Sequence, residues 1–98
     1  MEDKTMYTLK VETKEATYLF EASNVQYQRV DLKGLNEKTK HGVFGPDPDT
    51  LDENDMYVLQ VSYYNQNDVQ KKFYLTEGRF FILQNGKTVD MVVIRWTD

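Results

Sequence analysis

Residues 79–96 read RFFILQNGKTVDMVVIRW, and this stretch decides the fold. Asn85-Gly86 lies between two apolar runs and supplies the two positive φ angles that a two-residue type I′ hairpin needs. Upstream of the turn, Arg79 to Gln84 is apolar on both parities, which suits a central strand covered on both faces. Downstream, Val92, Ile94 and Trp96 form one apolar row while Val89, Met91 and Val93 form the other. The stretch therefore predicts two antiparallel strands joined by a tight turn.

The same period of two runs outward from it. Glu77-Gly78 makes the preceding turn, and before it Val69, Phe73 and Leu75 alternate with Gln70, Lys72 and Tyr74. Asn65-Gln66-Asn67-Asp68 is turn-forming, and Tyr57, Leu59, Val61 and Tyr63 alternate with Val58, Gln60 and Ser62. Near the start, Tyr7, Leu9 and Val11 alternate with Thr8, Lys10 and Glu12. Past the polar Thr13-Lys14-Glu15, Ala16, Tyr18, Phe20 and Ala22 share a second face. Ser23-Asn24 breaks that run, and Val25 to Leu32 resumes it with Val25 and Tyr27 on one parity, Val30 and Leu32 on the other. A β-bulge near Gln28-Arg29 would reconcile the two.

From Lys33 to Asp55 the alternation stops, and this segment holds three of the five Gly and both Pro. Val43 and Phe44 are expected to pin its middle to the core, and Thr50-Leu51-Asp52-Glu53 matches a capping box for a short helical turn. Short turns can join antiparallel strands but not parallel ones. The expected fold class is therefore all-β: a single domain over 1–98, built as a small antiparallel β-sandwich or partly open barrel of about seven strands. One long acidic loop spans 33–55. The alternative is an antiparallel sheet carrying one short helix from that loop.

Composition narrows the functions. A chain of 98 residues with 13% aromatics can build one core without staples. The absence of Cys excludes disulfides, thiolate metal sites and Cys nucleophiles. The first residues, MEDKTMYTLK, lack the basic start and apolar stretch of a secretory signal, and no apolar run approaches the length of a membrane span. A soluble, cytoplasmic protein with no membrane partner is expected.

The acids are concentrated. Asp47, Asp49, Asp52, Glu53 and Asp55 lie in nine residues with no base among them, so the −4 of the whole chain less the −5 of this segment leaves +1 elsewhere. Bunching of this kind argues against a nucleic-acid mimic, which would spread carboxylates along a face. An EF-hand beginning at Asp47 would place Leu51 at position 5, Asp52 at position 6 and Val58 at position 12, so the template fails. An irregular Ca²⁺ or Mg²⁺ site on Asp47, Asp49 and Asp52, a solvated connection and a steering surface for a basic partner are the remaining uses.

No catalytic constellation emerges. His41 is the only histidine and has Lys38 and Lys40 for neighbours; Ser23 and Ser62 are the only serines. No pair of carboxylates stands out for glycoside hydrolysis. Tyr63 and Tyr64, followed by Asn65-Gln66-Asn67 and with Lys71, Lys72, Tyr74 and Arg79 close by in sequence, form the best candidate binding face. The acidic balance argues against nucleic acid as a ligand. The expectation is a non-enzymatic interaction module, an accessory or inhibitor protein without cofactor or metal. It would bind a partner protein, or its own copy, through Asp47, Asp49, Asp52, Glu53 and Asp55 with Tyr63 and Tyr64 as anchors. The alternative is a β-domain that sequesters a small ligand, a nucleotide or a sugar.

Overall fold

The structure, a computed structural model, describes residues 5–31, 42–46 and 57–96. Seven strands make up the described fold: β1 (Tyr7–Glu12), β2 (Thr17–Asp31), β3 (Gly42–Phe44), β4 (Tyr57–Tyr64), β5 (Gln70–Leu75), β6 (Gly78–Gln84) and β7 (Lys87–Ile94). They form one sheet in the order β3-β5-β4-β2-β1-β6-β7, which does not close into a barrel. Five of the six pairings are antiparallel; only β3, lying against β5, runs parallel. There is no helix among the described residues.

Seven strands were expected, but they are not the same seven. The two runs around Ser23-Asn24 belong to one fifteen-residue strand, β2, which serves both halves of the sheet. Its first part pairs with β1 and its second with β4. The register shifts between Ser23 and Gln26, and Asn24 takes a φ of 49°, in the left-handed region that Asn tolerates better than most residues. This is where the phase changes, not at Gln28-Arg29. Val30, whose parity suggested the later position, lies opposite Val58 on the face away from the core, where Val58 is fully buried. The place vacated in the count is filled by β3, the Val43-Phe44 pin. Phe44 makes an edge-on contact with Phe73 at 5.0 Å.

The break in β2 lets the sheet fold over so that its halves face one another. From β1, β6 and β7 come Leu9, Val11, Phe80, Ile82 and Ile94; from β4 and β5 come Leu59, Val61, Tyr63, Phe73 and Leu75. Phe80 is fully buried and bridges the halves, its ring 5.6 Å from Tyr27 and 6.2 Å from Phe73. Each such ring removes a large apolar area from water, and edge-on geometry adds to what burial alone provides.

The turns follow their residues. Thr13 closes the β1–β2 hairpin, its amide donating to the Ala16 carbonyl at 2.8 Å and its hydroxyl accepting from the Ala16 amide at 3.1 Å. The Asn65 carboxamide oxygen accepts from the amides of Asn67 and Val69 at 2.9 and 3.0 Å, an Asx turn that sets β4 against β5. Asn85 and Gly86 carry φ angles of 53° and 79°, as the Asn-Gly hairpin requires. Gly78, at a φ of 148°, passes so close to the Glu12 carbonyl that no side chain fits there.

Between β5 and β6, Thr76 is fully buried and gathers three parts of the chain. Its amide donates to the Phe44 carbonyl at 2.9 Å, its hydroxyl donates to the Pro46 carbonyl at 2.6 Å, and its carbonyl accepts from Arg95 Nη1 at 2.9 Å. The segments next to the two edge strands, β3 and β7, are thus fastened to one point.

Truncating Phe80 to Ala is expected to lower the unfolding free energy by about 3–5 kcal/mol, whereas Leu19→Ala, at a position 64% exposed, should change it by less than about 0.5 kcal/mol. Urea denaturation followed by Trp96 fluorescence measures both, and equal losses would contradict this core.

Candidate functional site

Alternation places Tyr63 and Tyr64 on opposite faces of β4. Tyr63 points into the core, 8% exposed, its ring 6.0 Å from Phe20 and 6.1 Å from Phe73. Tyr64 is half-buried on the other face and lies opposite Gln70 of β5. Of the neighbours they were grouped with, Lys71 lies opposite Tyr63 and Lys72 opposite Ser62, whereas Tyr74 is buried and Arg79 belongs to the other half of the sheet. Asp47, Asp49, Asp52, Glu53 and Asp55 lie outside the described residues, as do His41 and the Thr50-Leu51-Asp52-Glu53 capping box. Among the described residues no three carboxylate, His or Cys side chains are grouped to hold a metal ion, and no helix is long and apolar enough to cross a membrane.

The surface that stands out lies elsewhere, on the outer face of β2, β1, β6 and β7. Register aligns its side chains in rows across the strands. Leu19 lies opposite Lys10, Lys10 opposite Phe81, and Phe81 opposite Met91. In a neighbouring row Thr17 lies opposite Glu12, Glu12 opposite Arg79, and Arg79 opposite Val93. Leu19, Val89, Met91 and Val93 are 64%, 57%, 50% and 40% exposed, and Phe81 and Leu83 are half-buried between them. Scattered apolar side chains are ordinary on a protein surface; a contiguous group on one sheet face marks an interaction site.

Two cations on this face share one carboxylate. Glu12 sits between Lys10 Nζ at 3.3 Å and Arg79 Nε at 3.4 Å. Pairs this exposed add little stability. The cations also lie on rings: Lys10 Nζ is 5.3 Å from the centre of Phe81, and the Arg79 guanidinium is 4.5 Å from that of Trp96. Their aliphatic stems extend the apolar surface while their heads stay in water.

The edge beside this face is guarded. On β7 the pairing steps from Asp90 opposite Ile82 to Thr88 opposite Leu83, leaving Val89 as an extra residue. The Met91 amide donates to the Asp90 carboxylate at 2.9 Å. A bulge and a carboxylate occupying a backbone donor are both means by which edge strands refuse further strands. The open surface is therefore the face rather than the rim.

The signal for this face was present in the sequence. Arg79 to Gln84 and Val89 to Val93 are apolar on both parities. For Arg79 to Gln84 that pattern suggested a strand covered on both faces, and the structure shows instead that the second parity of β6, like that of β7, looks outward.

Comparison with protein-family models, with curated proteins and with solved structures found no match.

Burial of Tyr63 raises the pKa of its hydroxyl above the usual tyrosine value, because the charged form would lose its water. The folded state thus resists ionisation of Tyr63, and that part of the stability is complete below about pH 10, the unfolded value, and is lost as pH rises through the higher folded value. Alkaline titration followed by phenolate absorbance should show one of the seven tyrosines ionising late, and Tyr63→Phe should remove that phase; a variant titration that keeps it would place the slow tyrosine elsewhere.

Proposed function

We propose that the protein is a non-enzymatic interaction module that docks a partner protein on the outer face of β2, β1, β6 and β7. The observation that supports this is the apolar group of Phe81, Met91 and Val93 on β6 and β7, beside a guarded edge, with exposed Leu19 in the same row beyond Lys10. Burial of such a face against a complementary one recovers about 25 cal/mol for each Å² of apolar area removed from water. Met91 adds adaptability, since an unbranched thioether refits to different partners.

The acidic segment has a kinetic part in this proposal. Asp47, Asp49, Asp52, Glu53 and Asp55 carry more negative charge than the whole chain nets, and a dense local charge raises the encounter rate with a basic partner. One histidine, two serines and no cysteine support a binding role over a catalytic one. The absence of cysteine also fits work in the reducing cytoplasm.

Leu19→Asp combined with Met91→Asp is expected to leave the fold intact, because both positions are exposed, and to weaken retention of the partner captured by the wild-type domain from its host lysate by at least about tenfold, equivalent to about 1.4 kcal/mol. A double variant that keeps a native circular dichroism spectrum and holds the same partner equally well would remove the face from the mechanism.

Changing the five acids to Asn and Gln should slow association with that partner and flatten its dependence on salt, with little change in dissociation. Stopped-flow mixing at two ionic strengths reads this directly; an unaltered association rate would leave the acids with no steering role.

A further inference from the structure

The opposite outer face, that of β2, β4 and β5, has a different chemistry. Past the break in β2, Gln26 lies opposite Ser62 and Gln28 opposite Gln60, while Tyr64 lies opposite Gln70 on the other side of β4. Gln28 Nε2 donates to Gln60 Oε1 at 3.5 Å. A hollow of about 690 Å³ opens here, lined among others by Asn24, Gln26, Ser62, Tyr64, Asp68 and Gln70. A second, of about 160 Å³, continues from Gln26 and Ser62 to Gln28 and Gln60. Together they follow β4 from Gln60 to Tyr64, about 13 Å at the rise of a strand.

Two features mark this cleft as more than a gap. It starts at the break in β2, and Asn24 and Asp68, which flank it, are two of the four residues other than Gly with positive φ among the described residues. Bulges and left-handed residues concentrate where a fold aims side chains at something. The lining is also mostly polar, with Val25 and Tyr63 entering it from the core side. Carboxamides and a hydroxyl dominate it, a tyrosine ring stands at one end, and Asp68 is the one acid.

We propose that this cleft binds a neutral carbohydrate chain laid along β4. Each carboxamide offers two donors and an acceptor on one planar group, which matches the paired hydroxyls of a sugar, themselves donors and acceptors. Neutral amides lose less on leaving water than charged groups do, so many weak bonds of this kind can add up. Tyr64 supplies an aromatic surface for the apolar side of a sugar ring. Other ligand classes fit worse. Single-stranded nucleic acid requires a positive groove, and here Lys72, opposite Ser62, is matched by the acid Asp68 in the lining. An apolar ligand requires a largely apolar wall. This site is separate from the protein-docking face and does not depend on it.

The test is a titration of ¹⁵N-labelled protein with cellohexaose, xylohexaose, maltohexaose and chitohexaose in turn, with a thymidine oligonucleotide as a comparison. At least one sugar should produce saturable shifts of the side-chain amides of Gln26, Gln28, Gln60 and Gln70. Gln26 and Gln28 are exposed, so the Gln26→Ala, Gln28→Ala variant should keep a dispersed spectrum and bind that sugar about tenfold more weakly, as expected for losing two hydrogen bonds of modest net value. Absence of saturable shifts with all four sugars, shifts confined to Leu19, Phe81 and Met91, shifts produced by the oligonucleotide in place of the sugars, or an unweakened double variant would each overturn the proposal.

Discussion

One strand, β2, belongs to both halves of the sheet, and the extra residue it accommodates at Asn24 decides what faces inward on either side of it. Phe20 and Tyr27 are an odd number of residues apart, so in an unbroken strand they would point to opposite faces. With the register shifted between Ser23 and Gln26, both turn to the same interior. Phe80 and Phe73 can then meet across the fold, because the sheet bends at that point instead of continuing flat. Without the break, the second half would present Gln26 and Gln28 to the core and Tyr27 to water.

The same break explains why the two outer faces differ. In the half formed by β1, β6 and β7, the inward parity is strongly apolar; outward, β1 shows Thr8, Lys10 and Glu12, while β6 and β7 leave Phe81 half-buried and Met91 and Val93 exposed. In the other half, the outward parity of β2 and β4 is mostly carboxamide and hydroxyl, except at the end where Val30 lies opposite Val58. One small domain thus carries an apolar group on one outer face and a mostly polar cleft on the other, across a single core. Such an arrangement suits a molecule that connects two things, and each surface can be altered without touching the other.

Much of this architecture could be read from alternation alone. All the antiparallel strands lie where the period of two placed them, and the Thr13, Asn65 and Asn85-Gly86 turns follow from residue chemistry. The parallel pairing of β3 could not be read in that way: three residues of a Gly- and Pro-containing segment carry no periodic pattern, and only the contact of Phe44 with Phe73 positions them. The position of the bulge was missed because Val30 was assigned to the core, whereas a face away from the core can also bury valine. For the candidate surfaces the difficulty was different. Alternation predicts which residues share a face but not whether that face is covered, so Tyr63, which packs in the core, was ranked with Tyr64, and the face of β6 bearing Phe81, which is open, was read as covered.

Asp90 has a further implication. A flank as greasy as the one beside β7 would ordinarily invite strand-to-strand stacking into fibrils, since a bare rim repeats itself from molecule to molecule without limit. By turning its carboxylate onto the Met91 amide at that rim, the chain keeps a sticky side while denying it a direction in which to polymerise. Stickiness and colloidal safety are thereby set by different atoms, and selection could strengthen one without giving up the other.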